Sequence, residues 1–167
     1  MSIRRMGLVL VAMAMSFAAT GSFIADAADA PGFTLDGQVQ RPGRVTQSDL
    51  KALPATSVTV SFQTGHGQET GTYGGVLLWT LLTNASVVDG PAKGAHLSHT
   101  ILVTGSDGYS VALSMGELDP KFEGKSVIIA ATMNGRPLPA ADGLRLIVPG
   151  DSHGGRAVRD VVHVEVK

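Results

Sequence analysis

The sequence predicts an α+β or mainly β domain built on mixed or antiparallel sheets. Three observations carry this. Apolar and polar residues alternate in several short runs, as on half-buried strands. Tight-turn signals, not long crossover helices, separate many of these runs. The helical patterns are short, which disfavours a doubly wound parallel sheet. Six or seven strands and two or three short helices are expected, with no internal repeat.

Phe33 to Val39 alternates and reads as the first strand. Arg41-Pro42-Gly43 is a turn. Thr46 suits a helix N-cap with Asp49 in the first turn. Leu50 and Leu53 would face inward, and Pro54 stops that helix. Ser57 to Gln63 alternates again, with Val58, Val60 and Phe62 on one face. It runs into a polar, glycine-rich stretch, Thr64 to Gly75, expected to be a long functional loop. Val76 to Leu82 reads as a short helix carrying Trp79, with Asn84 at its exit. His99 to Thr104 and Tyr109 to Leu113 flank Gly105 to Gly108, a hairpin signal. Gly116 to Pro120 suits one helical turn. Ser126 to Met133 is an apolar strand ended by Asn134-Gly135, the strongest turn signal in the chain. Leu144 to Val148 and Asp160 to Val166 complete the strands.

Residues 1–30 read as an export signal. Arg4 and Arg5 precede an apolar run, Met6 to Ala19, and two A-x-A sites end at Ala27 and Ala30. The run falls short of the roughly 20 residues that cross a bilayer. A periplasmic or secreted domain over residues 31–167 is therefore expected, with no membrane segment after cleavage. Losing Arg4, Arg5, Asp26 and Asp29 from 13 basic and 14 acidic residues leaves the charge near neutral. That argues against a nucleic-acid surface. With no cysteine, the domain has neither disulfides nor thiolate chemistry, and packing must stabilise it.

No phosphate-binding loop, nucleophile elbow or zinc-protease helix is present. The most suggestive stretch is Val148 to Arg159, where a Pro-Gly turn and glycines present His153, Arg156 and Arg159. Guanidinium forks and open backbone N–H groups suit phosphate or carboxylate. The competing reading is a solvated turn whose arginines pair with acids such as Asp151 and Asp160. His96-x-x-His99 offers two metal ligands, with His66 or His153 as a third, against ordinary loop histidines. Trp79 and Tyr73 flank the glycine-rich stretch and read best as packing residues.

Several segments, in order, resemble the oxidoreductase molybdopterin-binding domain family, the sulfite oxidase-like fold. They are Phe33 to Pro42, Thr46 to Pro54, Thr72 to Leu82 (similar to a W-x-G-V-x-L-x-x-L-L stretch), Ser106 to Val111, Met133 to Pro139, Leu144 to Gly150, and Gly154 to Arg159 (similar to G-A-R-x-V-K). Together they cover nearly all of residues 33–167. The resemblance implies a mixed-sheet fold and a pterin-bound molybdenum held by one cysteine thiolate just after the strand Val58 to Gln63. This chain has Thr64 there, and a hydroxyl does not replace a soft thiolate. Around Asp142-Gly143-Leu144-Arg145 the family's H-G-x-P-x-R has lost its histidine and two residues. Arg145, Arg156 and Arg159 match positions that line the pterin and phosphate pocket. The candidate cofactor-binding set is Thr64, Gly65, His66, Arg145, His153, Arg156 and Arg159, with no metal ligand and no catalytic residue assigned. The resemblance implies a molybdopterin or small anionic ligand, and a periplasmic redox or other protein partner. The alternative is a non-catalytic descendant that binds another small anion or a protein. Whether the chain is an enzyme stays open at this point.

Overall fold

The computed structural model describes residues 31–167; the export signal expected over 1–30 lies outside the described residues. Ten strands and three short helices follow one another: β1 Gly32–Gly37, β2 Gly43–Thr46, α1 Gln47–Lys51, β3 Ala55–Thr64, β4 Gly67–Leu77, α2 Leu78–Ala85, β5 Thr100–Gly105, β6 Ser110–Ser114, α3 Met115–Leu118, β7 Ile128–Met133, β8 Arg136–Pro137, β9 Arg145–Ile147 and β10 Val161–Val166. Among the described residues, no helix is long and apolar enough to cross a membrane.

Local chemistry sets several boundaries. Thr46 caps α1 as expected: its hydroxyl accepts from the Asp49 N–H at 3.3 Å, and the Asp49 carboxylate accepts from the Thr46 N–H at 2.8 Å. Ser114 and Glu117 form the same reciprocal cap on α3. Asn134 and Gly135 both take positive φ in the turn from β7 to β8, as the sequence implied.

The strands form two sheets. The first has the order β2-β1-β10-β5-β6, and the second β3-β4-β7-β8, with β9 sharing the β7 edge. Only β1 and β10 pair in parallel; the other neighbours are antiparallel. The mixed-sheet architecture expected from the sequence is therefore present. Both sheets contribute to one main core, with Phe33, Ile101, Val103 and Val164 from the first and Val76, Ile129 and Leu146 from the second. A smaller cluster lies within the second sheet: Val58, Val60, Phe62, Tyr73, Ile128, Ala130 and Ile147. Each valine, isoleucine or phenylalanine of this cluster contributes about 1.5–3 kcal/mol by leaving water, and the cluster forms the bed of the candidate site.

The stretch Thr64 to Gly75 is not a loop. Only Gly65 and His66 form a turn, and residues 67–77 return as β4, paired along the whole length of β3. The inward positions of β4 include Gly71, which hid the alternation. Met133 fills the missing side chain's space, since a Cβ on Gly71 would lie 2.5 Å from its methyl carbon. The chain does turn around Arg41-Pro42-Gly43, as expected, and the strand that follows it, β2, was not foreseen: pairing with β1 holds Gly43–Thr46 extended. The helix expected over 76–82 starts two residues later and ends at Ala85, closed by Ser86 in the left-handed conformation.

Candidate functional site

Four segments meet around a cleft of about 480 Å³. The end of β3 supplies Gln63, Thr64 and Gly65. The start of β9 supplies Arg145. The connection from β9 to β10 supplies His153, Gly154, Gly155, Ala157, Val158 and Arg159. The β5–β6 turn adds Asp107 and Tyr109.

Backbone pairing fixes the connection. The Gln63 N–H donates to the Ser152 carbonyl at 2.9 Å, and Gln63 bridges His153 in parallel. The Leu146 N–H donates to the Val158 carbonyl at 2.8 Å. The Tyr109 hydroxyl donates to the Gly155 carbonyl at 2.7 Å, which holds a half-exposed ring beside the cleft. Gly154 lies against the Phe62 ring, where a Cβ would come within 3.0 Å of two ring carbons. The close approach explains the glycine.

Arg145 sits at the base and is only 3 % exposed. Its Nη1 donates to Glu69 Oε1 at 2.6 Å and to the Tyr73 hydroxyl oxygen at 3.0 Å, and its Nη2 donates to Glu69 Oε2 at 3.3 Å. The Tyr73 hydroxyl donates to Glu69 in turn. The guanidinium carbon lies 5.8 Å from the centre of the Phe62 ring and 5.4 Å from that of Tyr73, within cation–π range. Its Nε is buried with no partner among the described residues. Arg159 is half-exposed and weakly held, 3.7 Å from Glu69 and 3.6 Å from Asp142.

Burial pulls the Glu69 carboxyl upward, but hydrogen bonds from Arg145 and Tyr73 and the charges of both arginines outweigh it and hold it below its ordinary range. Burial, reinforced by the hydrogen bond to Glu69, pushes Tyr73 up to about 12. At neutral pH the base of the cleft thus holds an arginine, an ionised carboxylate and a protonated phenol. Glu117 is also lowered: burial opposes it, and the Ser114 backbone N–H, Arg156 and Lys125 prevail. Groups with lowered folded values stabilise the protein above their unfolded pKa, and this contribution disappears as pH falls through the folded value. The melting temperature is accordingly expected to be insensitive to the titration of Glu69 and Glu117 at neutral pH and to fall below about pH 4. Calorimetry across pH 2–7 checks this, and Glu69→Gln should flatten part of the acid limb.

The structure brings Thr64, Gly65, Arg145, His153 and Arg159 to one cleft; Arg156 lies beside it and His66 outside it. His66 is exposed in the β3–β4 turn. Arg156 turns away and clamps the connection onto α3, pairing with Asp151 at 2.6 and 2.9 Å and with Glu117 at 3.0 Å. Arg156 lines an adjoining hollow that shares His153 and Gly155 with the cleft, and its fork is taken up by those two carboxylates, as in the alternative of arginine pairing with Asp151. His96 and His99 meet Asp89 at 3.2 and 3.0 Å. His96 also approaches Asp119 at 3.2 Å. Among the described residues, no group of three such side chains is placed to hold a metal ion. Tyr73 is fully buried, so the packing reading holds, yet it also contacts the site arginine.

Sequence reasoning missed Glu69, Tyr73, Asp107 and Tyr109. Glu69, Gly71 and Tyr73 occupy alternate positions of β4, so they share one face. Recognition of that strand would have placed a carboxylate opposite the inward Arg145.

A family model described as "Oxidoreductase molybdopterin binding domain" matches residues 26–167. Among solved structures, the chain is similar to the sulfane dehydrogenase SoxCD from Paracoccus pantotrophus, with a TM-score of 0.67 and 22% identity. The match covers 81% of this chain and 37% of that one. It supports a common fold. No curated protein matches.

Proposed function

The chain belongs to the oxidoreductase molybdopterin-binding domain family, and from that premise we propose an exported domain that binds a pterin or another small anionic ligand without a cysteine-ligated molybdenum. One observation carries this reading. Thr64 stands at the wall of the cleft, and its hydroxyl is already committed: it donates to the Gly67 carbonyl at 2.8 Å and accepts from the His66 N–H at 3.1 Å. A hard hydroxyl closed into its own turn does not fit a metal that takes a soft thiolate. The residues present therefore do not fit the family's metal centre, and no metal-dependent step is assigned.

The rest of the cleft supports binding. Among the described residues Arg159 has only long ion-pair contacts, and it can turn its fork to an incoming phosphate or carboxylate. Glu69 offsets the Arg145 charge, so Arg159 contributes most of the free cationic character. The Tyr109 ring adds a flat apolar surface at the rim. Export rests on the basic start and apolar run of residues 1–30.

Metal analysis and pterin fluorescence of protein purified from the periplasm of a molybdopterin-making host test this directly. The expected result is a bound pterin or other anion without stoichiometric molybdenum. In a thermal-shift titration with the recovered ligand, Arg159→Ala should weaken binding about tenfold, and more than Arg156→Ala, which loosens the connection but removes no free cation. Stoichiometric molybdenum would overturn the metal-free reading. No recovered ligand, together with no stabilisation by any anionic metabolite, would remove the binding reading.

A further inference from the structure

The outer strand of the second sheet has an open side. β3 is ten residues long and ends its sheet; among the described residues β4 is the one strand it pairs with, over residues 55–64 without a register shift. Backbone groups alternate direction along such a strand. The Gln63 N–H points away from β4, to the Ser152 carbonyl. By the same alternation Ser57, Thr59 and Ser61 aim their N–H and C=O groups outward. No backbone or side-chain partner meets them among the described residues.

Proteins usually blunt such edges with charge, proline, a bulge or a covering loop. Between Ala55 and Thr64 there is no charged residue, proline or glycine. Pro54 precedes the strand, and the Ser152–His153 segment covers Gln63 at its far end. What remains free is centred on Thr59. Its solvent face is a row of hydroxyls that already bond across strands: Thr59 to Thr72 at 2.9 Å and Ser61 to Thr70 at 2.7 Å.

We propose that this edge pairs with the same edge of a second copy, antiparallel about a twofold axis at Thr59. Thr59 then faces its counterpart and Ser57 faces Ser61, so each outward residue meets another outward residue. About six main-chain hydrogen bonds form. The contacts are hydroxyl on hydroxyl, a favourable cross-strand combination, and no like charges oppose. An uncharged edge offers no steering to a charged partner, whereas an identical strand matches it residue for residue and closes the pairing as a dimer. Val58, Val60 and Phe62 stay in their own core, so the interface is small and the dimer reversible. This inference is independent of the ligand reading.

Sedimentation of the purified protein over roughly 5 to 500 µM, the range suited to a small interface, is the test. The average mass should rise with concentration towards twice the monomer value. Thr59→Pro removes one outward N–H at an edge position that tolerates proline, and Thr59→Lys sets two charges face to face. Both should stay monomeric with unchanged circular dichroism, while Thr70→Lys, one strand further in, should still dimerise. Amide exchange at Ser57, Thr59 and Ser61 should slow as concentration rises. A wild-type monomer throughout, dimerisation of both Thr59 variants, or protection independent of concentration would overturn the proposal.

Discussion

Replacing Glu69 with alanine is expected to cost about 3 kcal/mol of unfolding free energy, the lower end of the range for stranding one member of a buried ion pair. Arg145 would keep its charge while losing both contacts to the carboxylate, at 2.6 and 3.3 Å. The Tyr73 hydroxyl and two ring faces would remain, and none carries a negative charge at neutral pH. Arg159 would make matters worse, because it approaches the same carboxylate and would leave two guanidiniums near one another. The lower end applies because Glu69 is partly open to water, which can hydrate the vacated space. Urea denaturation gives the number. A companion variant separates stranding from lost packing. Glu69→Ala combined with Arg145→Met removes the charge as well, and should be more stable than Glu69→Ala alone. A loss under 0.5 kcal/mol for Glu69→Ala, about the ordinary scale of a surface change, would mean that Arg145 reaches solvent.

The second large effect is expected from Gly75→Ala. A Cβ at this position would lie 2.1 Å from the Ile129 carbonyl oxygen and 2.6 Å from the Ala130 Cα. Both belong to the backbone of β7, held between β4 on one side and β8 and β9 on the other. The β4–β7 register slips at this point, between Gly74 and Gly75. Such irregularities bring backbones together where no side chain fits. Relief requires β7 to move, which would disturb Ile128, Ile129 and Ala130, all fully buried. A loss of about 3 kcal/mol or more follows from overpacking of this kind, or failure to fold at 37 °C. Gly155→Ala is the control: nothing lies within 4 Å of its Cβ position, and the change should stay within about 0.5 kcal/mol. Paired melting curves distinguish the two.

Much of the fold was legible because the strands that carry it alternate plainly. Val58, Val60 and Phe62 declared β3, and Val164 and Val166 declared β10. Thr46 and Asp49 announced their cap because that chemistry is local. β4 was illegible for the opposite reason. Its inward face is Gly71 and Tyr73, and the space over the glycine is filled by Met133, far away in sequence. The site divides along the same line. Thr64, Gly65, Arg145, His153 and Arg159 could be gathered from ordered motifs. Arg156 could not be told from its neighbour Arg159, since only the fold brings Glu117 beside one and Asp142 beside the other. Glu69 was missed with its strand, though it determines how much of the Arg145 charge a ligand would meet.

The position of β10 has a bearing on when the domain can form. The last of the described strands to be synthesised lies between β1, the first, and β5. Until Val161–Val166 emerges, β1 has no partner on that side, and the main core lacks Val161, Val164 and Val166. Such distant pairing makes folding slow, and the main core cannot close before Val161–Val166 has been made. A nascent chain stopped short of Val161 is therefore expected to lack a closed core and to stay threadable.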